Sequence, residues 1–476
     1  LLHDIGKLVQ RAEPGGLPQA VRDRQADVLP GRDGHATHWH ALWSDWFLDL
    51  CGDGTLGWPT GTDRAWVRNL AVYHHRPLQD YRTEPVLAIS GLVTLADWMA
   101  AGFERKAKDA QDEAGWADNT DVRQRFRRTP LDAIISGVRL APAGEKPAKK
   151  YHLPQELSPE ALLPVDQAHA SDYAVEQAYK ALWEQYKKAW TETAVHCSHN
   201  PARFEEAVLS LTERFLWAVP SSTMDQPDVS LHDHSRAVAA FAAALFRYHQ
   251  TAGSLGDAKA LSERTQPAFR FLVGDLSGIQ STLFRFKSEQ VSGLNKTLRG
   301  RSLRFQLMTD AAARRMLTAF GMPMSAMLQA AGGRFLLVVP ALADADDRLQ
   351  KLREDFDGWF VRQYSGDLAM GLSLSAPFAA DDLIEAEEGE GADAPRKRAE
   401  AVRGNLSVAI ETAKLHLLAE QAAAGVVKVS YENGACASCG LRPAGDEGLC
   451  HACEAERKLG ERLPRSHTVI VREAGH

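Results

Sequence analysis

His3 and Asp4 stand side by side in the run Leu2-His3-Asp4-Ile5-Gly6-Lys7. An imidazole next to a carboxylate on one helix can converge on a single metal pocket, and neutral imidazole with carboxylate suits manganese, iron, cobalt or nickel. Further donors follow within the first hundred residues: His40 in His40-Ala41-Leu42-Trp43-Ser44, then His74-His75, then Asp97 in Ala96-Asp97-Trp98. His35 and His38 lie close enough to His40 that either could take its place. A carboxylate shared between two such ions would let them activate a water for in-line attack on a phosphodiester. One His-Asp pair is weak evidence, and a second occurs at His232-Asp233-His234. That copy reads as a helix start with core packing. The four clusters ahead of it read as a metal site.

Gly274-Asp275-Leu276-Ser277-Gly278-Ile279-Gln280 follows an apolar strand and precedes a helix start. Glycines there allow close approach to a phosphate, and a helix N-terminus offers unpaired N–H groups. Gly274, Asp275, Ser277, Gly278 and Gln280 are therefore candidate nucleotide-binding residues, with plain turn geometry as the alternative. In cyclase and polymerase palms, an acid at this strand end works with acids at a hairpin tip to hold magnesium. Here the tip reads Gly332-Gly333-Arg334-Phe335, without the acids. Such a palm can supply a pocket and should not run phosphoryl transfer by itself. Arg299 and Arg301 could grip phosphate or lie in a solvated turn.

Cys436-x-x-Cys439, ten residues, then Cys450-x-x-Cys453 is the strongest single signal. Two such knuckles supply four thiolates to a tetrahedral structural zinc with no open position for catalysis. His451 reads as a bystander. The remaining cysteines, Cys51 and Cys197, stand alone, which suggests a reducing cytoplasm rather than a disulfide scaffold.

The elements that must carry these residues come from periodicity. Up to about Ser136 the apolar spacing is helical, as in Leu42, Trp46 and Phe47, and 137–164 reads as a proline-containing linker with Lys146, Lys149 and Lys150. Helices are expected over 172–195, 204–219 and 234–248. Phe269–Val273 is a short strand, a long helix follows, and 324–329 with 335–339 read as two strands joined by a tight turn. Strand–helix–strand–strand begins a ferredoxin-like palm. A mobile loop is expected over 379–399, and a helix over 407–424. The domains read as 1–136, 137–267 (linker and helical segment), 268–400 (palm) and 401–476 (helical linker with the zinc region).

Hydrophobic residues make up 45% and charged residues 25%, a globular profile, and 476 residues imply two to four domains. A net charge of −7 means that any nucleic acid must be met by local basic grooves. No run of about 18 apolar residues and no charged-then-apolar leader occurs, so neither a membrane span nor a secretory signal is expected. The chain opens at Leu1 inside what reads as a helix, so a short N-terminal piece is expected before it.

In this order, the pieces resemble the large subunit of type III-A CRISPR effector complexes. The resemblance extends through Gly102-Phe103-Glu104-Arg105, Tyr151-His152-Leu153-Pro154, Val219-Pro220-Ser221-Ser222-Thr223 and Pro227 to His234. It also takes in Leu298 to Ser302, and Leu459-Gly460 through Leu463-Pro464. It implies a multidomain α+β protein with an all-α permuted HD domain, a ferredoxin-like palm of the GGDEF/polymerase kind and a small four-cysteine zinc region. It further implies a nuclease acting on single-stranded DNA through His3, Asp4, His74, His75 and Asp97, with His40 among the metal ligands. ATP binding at the palm, activation by target RNA, and assembly with guide RNA, the small subunit and the guide-5′-handle subunit are implied as well.

In that family a second palm donates a catalytic Gly-Gly-Asp-Asp, and the two palms together make cyclic oligoadenylate. This sequence holds no Gly-Gly-Asp-Asp, so it reads as a fragment or as one half of a split subunit. Two other classes use the same residues: an HD phosphohydrolase acting on nucleotides or second messengers, and a non-catalytic scaffold.

Overall fold

The computed structural model describes residues 1–32, 35–76, 88–104, 125–138, 148–223, 226–288, 291–384, 394–425 and 428–468. It divides into two compact units. The first is Leu1–Phe269 with Met322–Ala326 and Pro377–Ala401, and the second is Arg270–Gly321, Met327–Ala376 and Val402–His476.

The first unit is built on helices α1 (Gly6–Ala12), α2 (His40–Gly52), α3 (Arg64–Val72), α4 (Ser90–Glu104), α5 (Asp172–His196), α6 (Pro201–Leu216) and α7 (Leu231–Ala252). Two-residue strand pairs, 31–32 with 35–36 and 131–132 with 151–152, are its regular β-structure among the described residues. Side-chain oxygens set the helix starts. Asp63 accepts from the Trp66 N–H, Ser171 from Ala174, Asn200 from Arg203 ahead of Pro201, and Ser230 from Asp233. The helices expected over 172–195, 204–219 and 234–248 are present with no end moved by more than four residues.

The core draws α1, α2, α5 and α6 together around Leu8, Val9, Leu42, Phe47, Trp183, Tyr186, Trp190 and Phe215. The Phe47 and Trp190 rings meet edge to face at 4.9 Å. Helix α5 comes from the stretch expected to link the HD region to the palm, yet Tyr179, Trp183 and Trp190 are wholly buried against α1 and α2. A short N-terminal helix cannot bury its apolar stripe alone, and α5 covers it.

His3 and Asp4 do not lie on a helix as expected. They occupy the turn that leads into α1, where the Ile5 N–H donates to the Leu2 carbonyl at 3.3 Å and the Lys7 N–H to that of Asp4 at 2.9 Å. Gly6 explains how this turn is held. A Cβ at Gly6 would lie 2.0 Å from the His40 carbonyl oxygen and 2.4 Å from the Ser44 nitrogen. Helices α1 and α2 therefore touch backbone to backbone, and Ser44 Oγ closes the contact by accepting from the Gly6 N–H and donating to the His3 carbonyl, both at 2.9 Å.

The second unit holds a four-stranded sheet of β1 (Phe269–Ser277), β2 (Met327–Ala331), β3 (Arg334–Pro340) and β4 (Ala369–Leu374) in the order β2-β3-β1-β4. Between the strands run α8 (Ile279–Leu283), α9 (Leu294–Phe320) and α10 (Ala345–Tyr364), giving β-α-β-β-α-β overall. Strand β1 pairs antiparallel with β4, Val273 facing Ser373, and β2 pairs antiparallel with β3, Ala331 facing Arg334. Gly332 and Gly333, at φ 63° and 87°, make the two-residue turn that the sequence predicts. Residues 324–326 form a 3-10 turn instead of the start of β2.

A helix α11 (Ala394–Lys414) begins inside the stretch expected to be a loop, and 385–393 lie outside the described residues, as do Arg105 and Lys146. The cysteine segment ends in α12 (His451–Arg462), which packs along α9 where Gly300 faces Gly460. Among the described residues, no helix is long and apolar enough to cross a membrane.

Gly6→Ala forces a methyl group into the α1–α2 backbone contact. It is expected to cost about 1–3 kcal/mol, read as a lower denaturant midpoint for the first unit. An unchanged midpoint would show that the two helices separate freely.

Candidate functional site

Five separate stretches of the first unit deliver donors to one buried cluster, the fifth being the first turn of α7 with His234. The turn before α1 gives His3 and Asp4, the first residue of α2 gives His40, the turn after α3 gives His74 and His75, and the middle of α4 gives Asp97. Asp45, fully buried on α2, binds Arg68 of α3 at 2.5 Å and so ties together the helices that present His40 and His74-His75. Thr94 Oγ1 donates to the His74 carbonyl at 2.7 Å, which fixes that turn against α4.

Two overlapping ligand sets result, and the donor atoms within each lie within 4.8 Å of one another. One is Asp4, His40, His74 and His75. The other is His3, Asp4, Asp97 and His234. Asp4 belongs to both: its Oδ1 is 3.0 Å from His40 Nε2 and 3.6 Å from His74 Nε2, and its Oδ2 is 3.4 Å from the Nε2 atoms of both His3 and His234. His234 Nε2 also reaches Asp97 Oδ1 at 3.0 Å, His3 Nε2 lies 3.7 Å from the same oxygen, and His75 Nδ1 is 4.0 Å from Asp97 Oδ2.

His234 corrects the reading of its own tripeptide. The helix start is present, since Ser230 caps α7, and His232 is a core residue whose Nδ1 meets Thr212 Oγ1 at 3.1 Å. His234 is instead a member of the cluster, because α7 packs along α4 and its first turn faces Asp97. The signal was a second histidine in the first turn of a capped helix. Its partners stand more than a hundred residues earlier, where spacing carries no information. His38 belongs to neither ligand set. It is exposed, at φ 59°, with its ring 4.1 Å from that of His75. The His35 side chain lies outside the described residues, and His40 belongs to one of the two candidate sets.

The protonation states suit a cation. Burial pushes His40 down to about 4 and His75 well below the ordinary imidazole value, and it lowers His3 too, so these rings are neutral ligands near neutral pH. Burial works against the charge on Asp4, but Lys7, with Nζ at 2.5 Å, and then His3 and His40 more than offset it and hold the carboxyl well below its usual range. For Asp97, the His234 and His3 imidazoles, with Nε2 atoms 3.0 and 3.7 Å from its Oδ1, outweigh burial in the same way. His74 Nδ1 sits 2.5 Å from the Ala71 carbonyl, so it carries the proton and leaves Nε2 with a lone pair to offer. That Nε2 and both ring nitrogens of His3 are buried without a hydrogen-bond partner. A buried ring nitrogen left so is costly, and a metal ion at the shared point would satisfy it.

In the second unit, the strand–turn–helix residues have a more structural account than expected. Gly274 sits in β1 under the Phe335 ring, where a Cβ would come within 2.1 Å of it. Gly278 starts α8 at φ 86°, and a Cβ there would meet the Asp367 carbonyl at 2.0 Å. Asp275 is paired with Arg334 at 3.0 Å and lies 3.8 Å from Lys414. Thus an arginine at the hairpin tip answers the carboxylate where a cyclase would place metal. Ser277 ends β1, and Gln280 is exposed on α8. Arg301 neither grips phosphate nor lies in a solvated turn: it is fully buried on Glu456 at 2.8 Å and on the carbonyls of Thr282 and Leu283. Arg299 donates to the Gly460 carbonyl at 3.1 Å.

Cys436, Cys439, Cys450 and Cys453 are buried with their four sulfurs within 4.8 Å of one another. The turns are held by the Cys436 N–H on the Arg442 carbonyl at 2.8 Å and the Gly440 N–H on that of Cys436 at 2.9 Å, while Cys450 caps α12. None of the six cysteines is in a disulfide. His451 is exposed at the start of α12, outside the sulfur cluster.

Against this geometry, residues 268–427 match the family model described as Csm1 subunit domain B, a span that opens at the start of β1. The chain resembles the large subunit of type III-A CRISPR effector complexes. Its relatives include the "CRISPR system single-strand-specific deoxyribonuclease Cas10/Csm1 (subtype III-A)" of Mycobacterium tuberculosis, 26% identical over 396 residues, covering 81% of this chain and 45% of that one. The protein of the same name from Streptococcus thermophilus is 25% identical over 401 residues, with the same coverages. The fold is similar to that of Csm1 in the crystal structure of the Csm1–Csm4 subcomplex in the type III-A CRISPR-Csm interference complex, with TM-score 0.57, 21% identity and coverage of 97% of this chain and 50% of that one. It is also similar to a Csm1–Csm4 cassette in complex with AMPPNP, with TM-score 0.58, 22% identity and coverages of 88% and 48%. The chain thus spans about half the length of the curated relatives it matches.

His234→Ala is expected to lower the manganese bound by the first unit in equilibrium dialysis, whereas His232→Ala leaves it unchanged. Equal binding by both variants would remove His234 from the ligand set.

Proposed function

We propose that this chain is the nuclease-bearing part of a type III-A CRISPR large subunit, with the first unit an all-α permuted HD domain that cuts single-stranded DNA. The observation that carries the reading is the buried Asp4 carboxylate shared by two ligand sets. Asp4 would be shared between two ions, with His40, His74 and His75 available to hold one and His3, Asp97 and His234 the other. A bound pair of divalent transition ions, manganese, nickel, cobalt or iron, would supply an activated water and neutralise charge on the phosphodiester. The protein's own part is positional. Lys7 keeps Asp4 ionised, the His74–Ala71 hydrogen bond fixes the ligating nitrogen, and the buried walls keep bulk water from the donors. Support for single-stranded DNA as substrate comes from the names of the curated relatives.

The sheet of the second unit is read as a ferredoxin-like, degenerate palm that offers Gly274, Asp275, Ser277, Gly278 and Gln280 to ATP. Csm1–Csm4 cassettes of similar fold have been crystallised with AMPPNP and with cA4. With Asp275 already paired to Arg334, phosphoryl transfer falls to a second palm bearing Gly-Gly-Asp-Asp, and the two together would make cyclic oligoadenylate. The four cysteines are read as a structural zinc site. The proposed setting is a cytoplasmic effector in which guide RNA, target RNA, the guide-5′-handle subunit and the small subunit meet this chain, with target RNA switching the nuclease on.

His3→Ala combined with Asp4→Ala is expected to reduce manganese-dependent cleavage of single-stranded DNA by roughly 100-fold or more, measured on the assembled complex with target RNA present. Undiminished cleavage would leave the chain a scaffold. Hydrolysis of free nucleotides in place of DNA would make it a phosphohydrolase.

A further inference from the structure

Beside the four cysteines lies a charge that nothing so far accounts for. Arg442 is 4% exposed, and its Nε, Nη1 and Nη2 atoms have no hydrogen-bond partner. No described carboxylate lies within 4.0 Å of it. Of the two acids nearby, Glu456 holds Arg301 at 2.8 Å, and Asp367 faces Arg285 at 3.5 Å through Oδ1 while its Oδ2 makes no hydrogen bond, Arg442 included. One face of the guanidinium rests over the Tyr364 ring, 5.2 Å from its centroid, and Arg304 lies 5.5 Å from the same ring. Burial opposes the charge on Arg442, and the groups placed to favour it are the sulfurs of Cys450, Cys439 and Cys453. Arg301 is also at the cluster, with Nη2 3.7 Å from Cys453 Sγ, but its charge is already met by Glu456.

An unpaired guanidinium in a site this dry is costly, and several kcal/mol of desolvation must be compensated by nearby negative charge. Four neutral thiols provide none, and neither would two disulfides. Four thiolates around one divalent ion carry a net charge of roughly −2, spread over sulfurs that accept N–H donors weakly but in number. Arg442 is the buried cation left over to balance that charge. Its own backbone carbonyl accepts from the Cys436 N–H at 2.8 Å, so the residue that supplies the charge also shapes the first knuckle.

We infer that Arg442 is the counter-cation of a metal tetrathiolate at Cys436, Cys439, Cys450 and Cys453, so that metal affinity there depends on a residue that ligates nothing. The inference rests on reading the cysteines as a zinc site and deepens it. The metal and Arg442 stabilise each other: each is the neutralising partner the other needs in a low-dielectric pocket, and removing either leaves a buried charge unmatched.

The test is zinc transfer from the whole 476-residue chain to a chromophoric chelator. Arg442→Gln keeps much of the side chain's size and loses its charge, and it is expected to weaken zinc binding about 10–100-fold. Arg442→Lys restores most of that affinity, while Arg304→Gln, which disturbs the same Tyr364 ring, leaves it at the wild-type value. Zinc held equally tightly by Arg442→Gln overturns the counter-cation role while the zinc reading stands. A wild-type chain that contains no zinc and takes none up overturns both. Should Arg442→Gln fail to fold, cobalt-loaded Arg442→Lys decides: its sulfur-to-cobalt charge-transfer bands shift if the side chain faces the thiolates, and unshifted bands overturn the proposal.

Discussion

The first unit depends on the burial of one carboxylate. Asp4 is 1% exposed in a turn only two residues from the start of α1, and an isolated carboxylate in such a place would be protonated or would unfold the turn. It stays ionised because the Lys7 ammonium pairs with it and the imidazole nitrogens of His3 and His40 stand close around it. The supporting structure follows from this need. Gly6 lets α2 come close enough to bring His40, the Asp45–Arg68 pair sets α3 behind His74 and His75, and α7 lies along α4 so that His234 and Asp97 close the far side.

The second unit handles charge differently at its two centres. At the hairpin tip, Arg334 is the counter-ion of Asp275, a direct pairing that removes the acid from metal chemistry. At the cysteine cluster, Arg301 is balanced by Glu456 and Arg442 is not, which makes the sulfurs its natural partner. On the proposed reading, an arginine takes the place of a metal at one centre and accompanies one at the other. What separates them is the partner: a lone carboxylate can be neutralised by one guanidinium, whereas four thiolates cannot.

Much of this was legible in the sequence, for identifiable reasons. The Cys-x-x-Cys pairs act over short separations, and α5, α6 and α7 announce themselves by apolar period and by Ser171, Asn200 and Ser230 at their starts. The donors from His3 to Asp97 were legible as types. What spacing could not convey was which helix of a later stretch would face them, so His234 was assigned to the core along with His232. The same limit hid the role of α5 as the cover for α1. Gly274 and Gly278 carried a pattern compatible with phosphate, but the Phe335 ring and the Asp367 carbonyl that require them come from a strand and a turn far along the chain. Arg301 misled for the opposite reason. Its setting looked solvated until α12, some 150 residues later, folded over it.

The most direct test of the account is anomalous scattering at the manganese edge from crystals of this chain grown with manganese. The account requires two peaks in the first unit, both within coordination distance of the Asp4 carboxylate, with His234 on one and His40 on the other. A single peak that Asp4 does not touch, or two peaks that share no carboxylate, would contradict it.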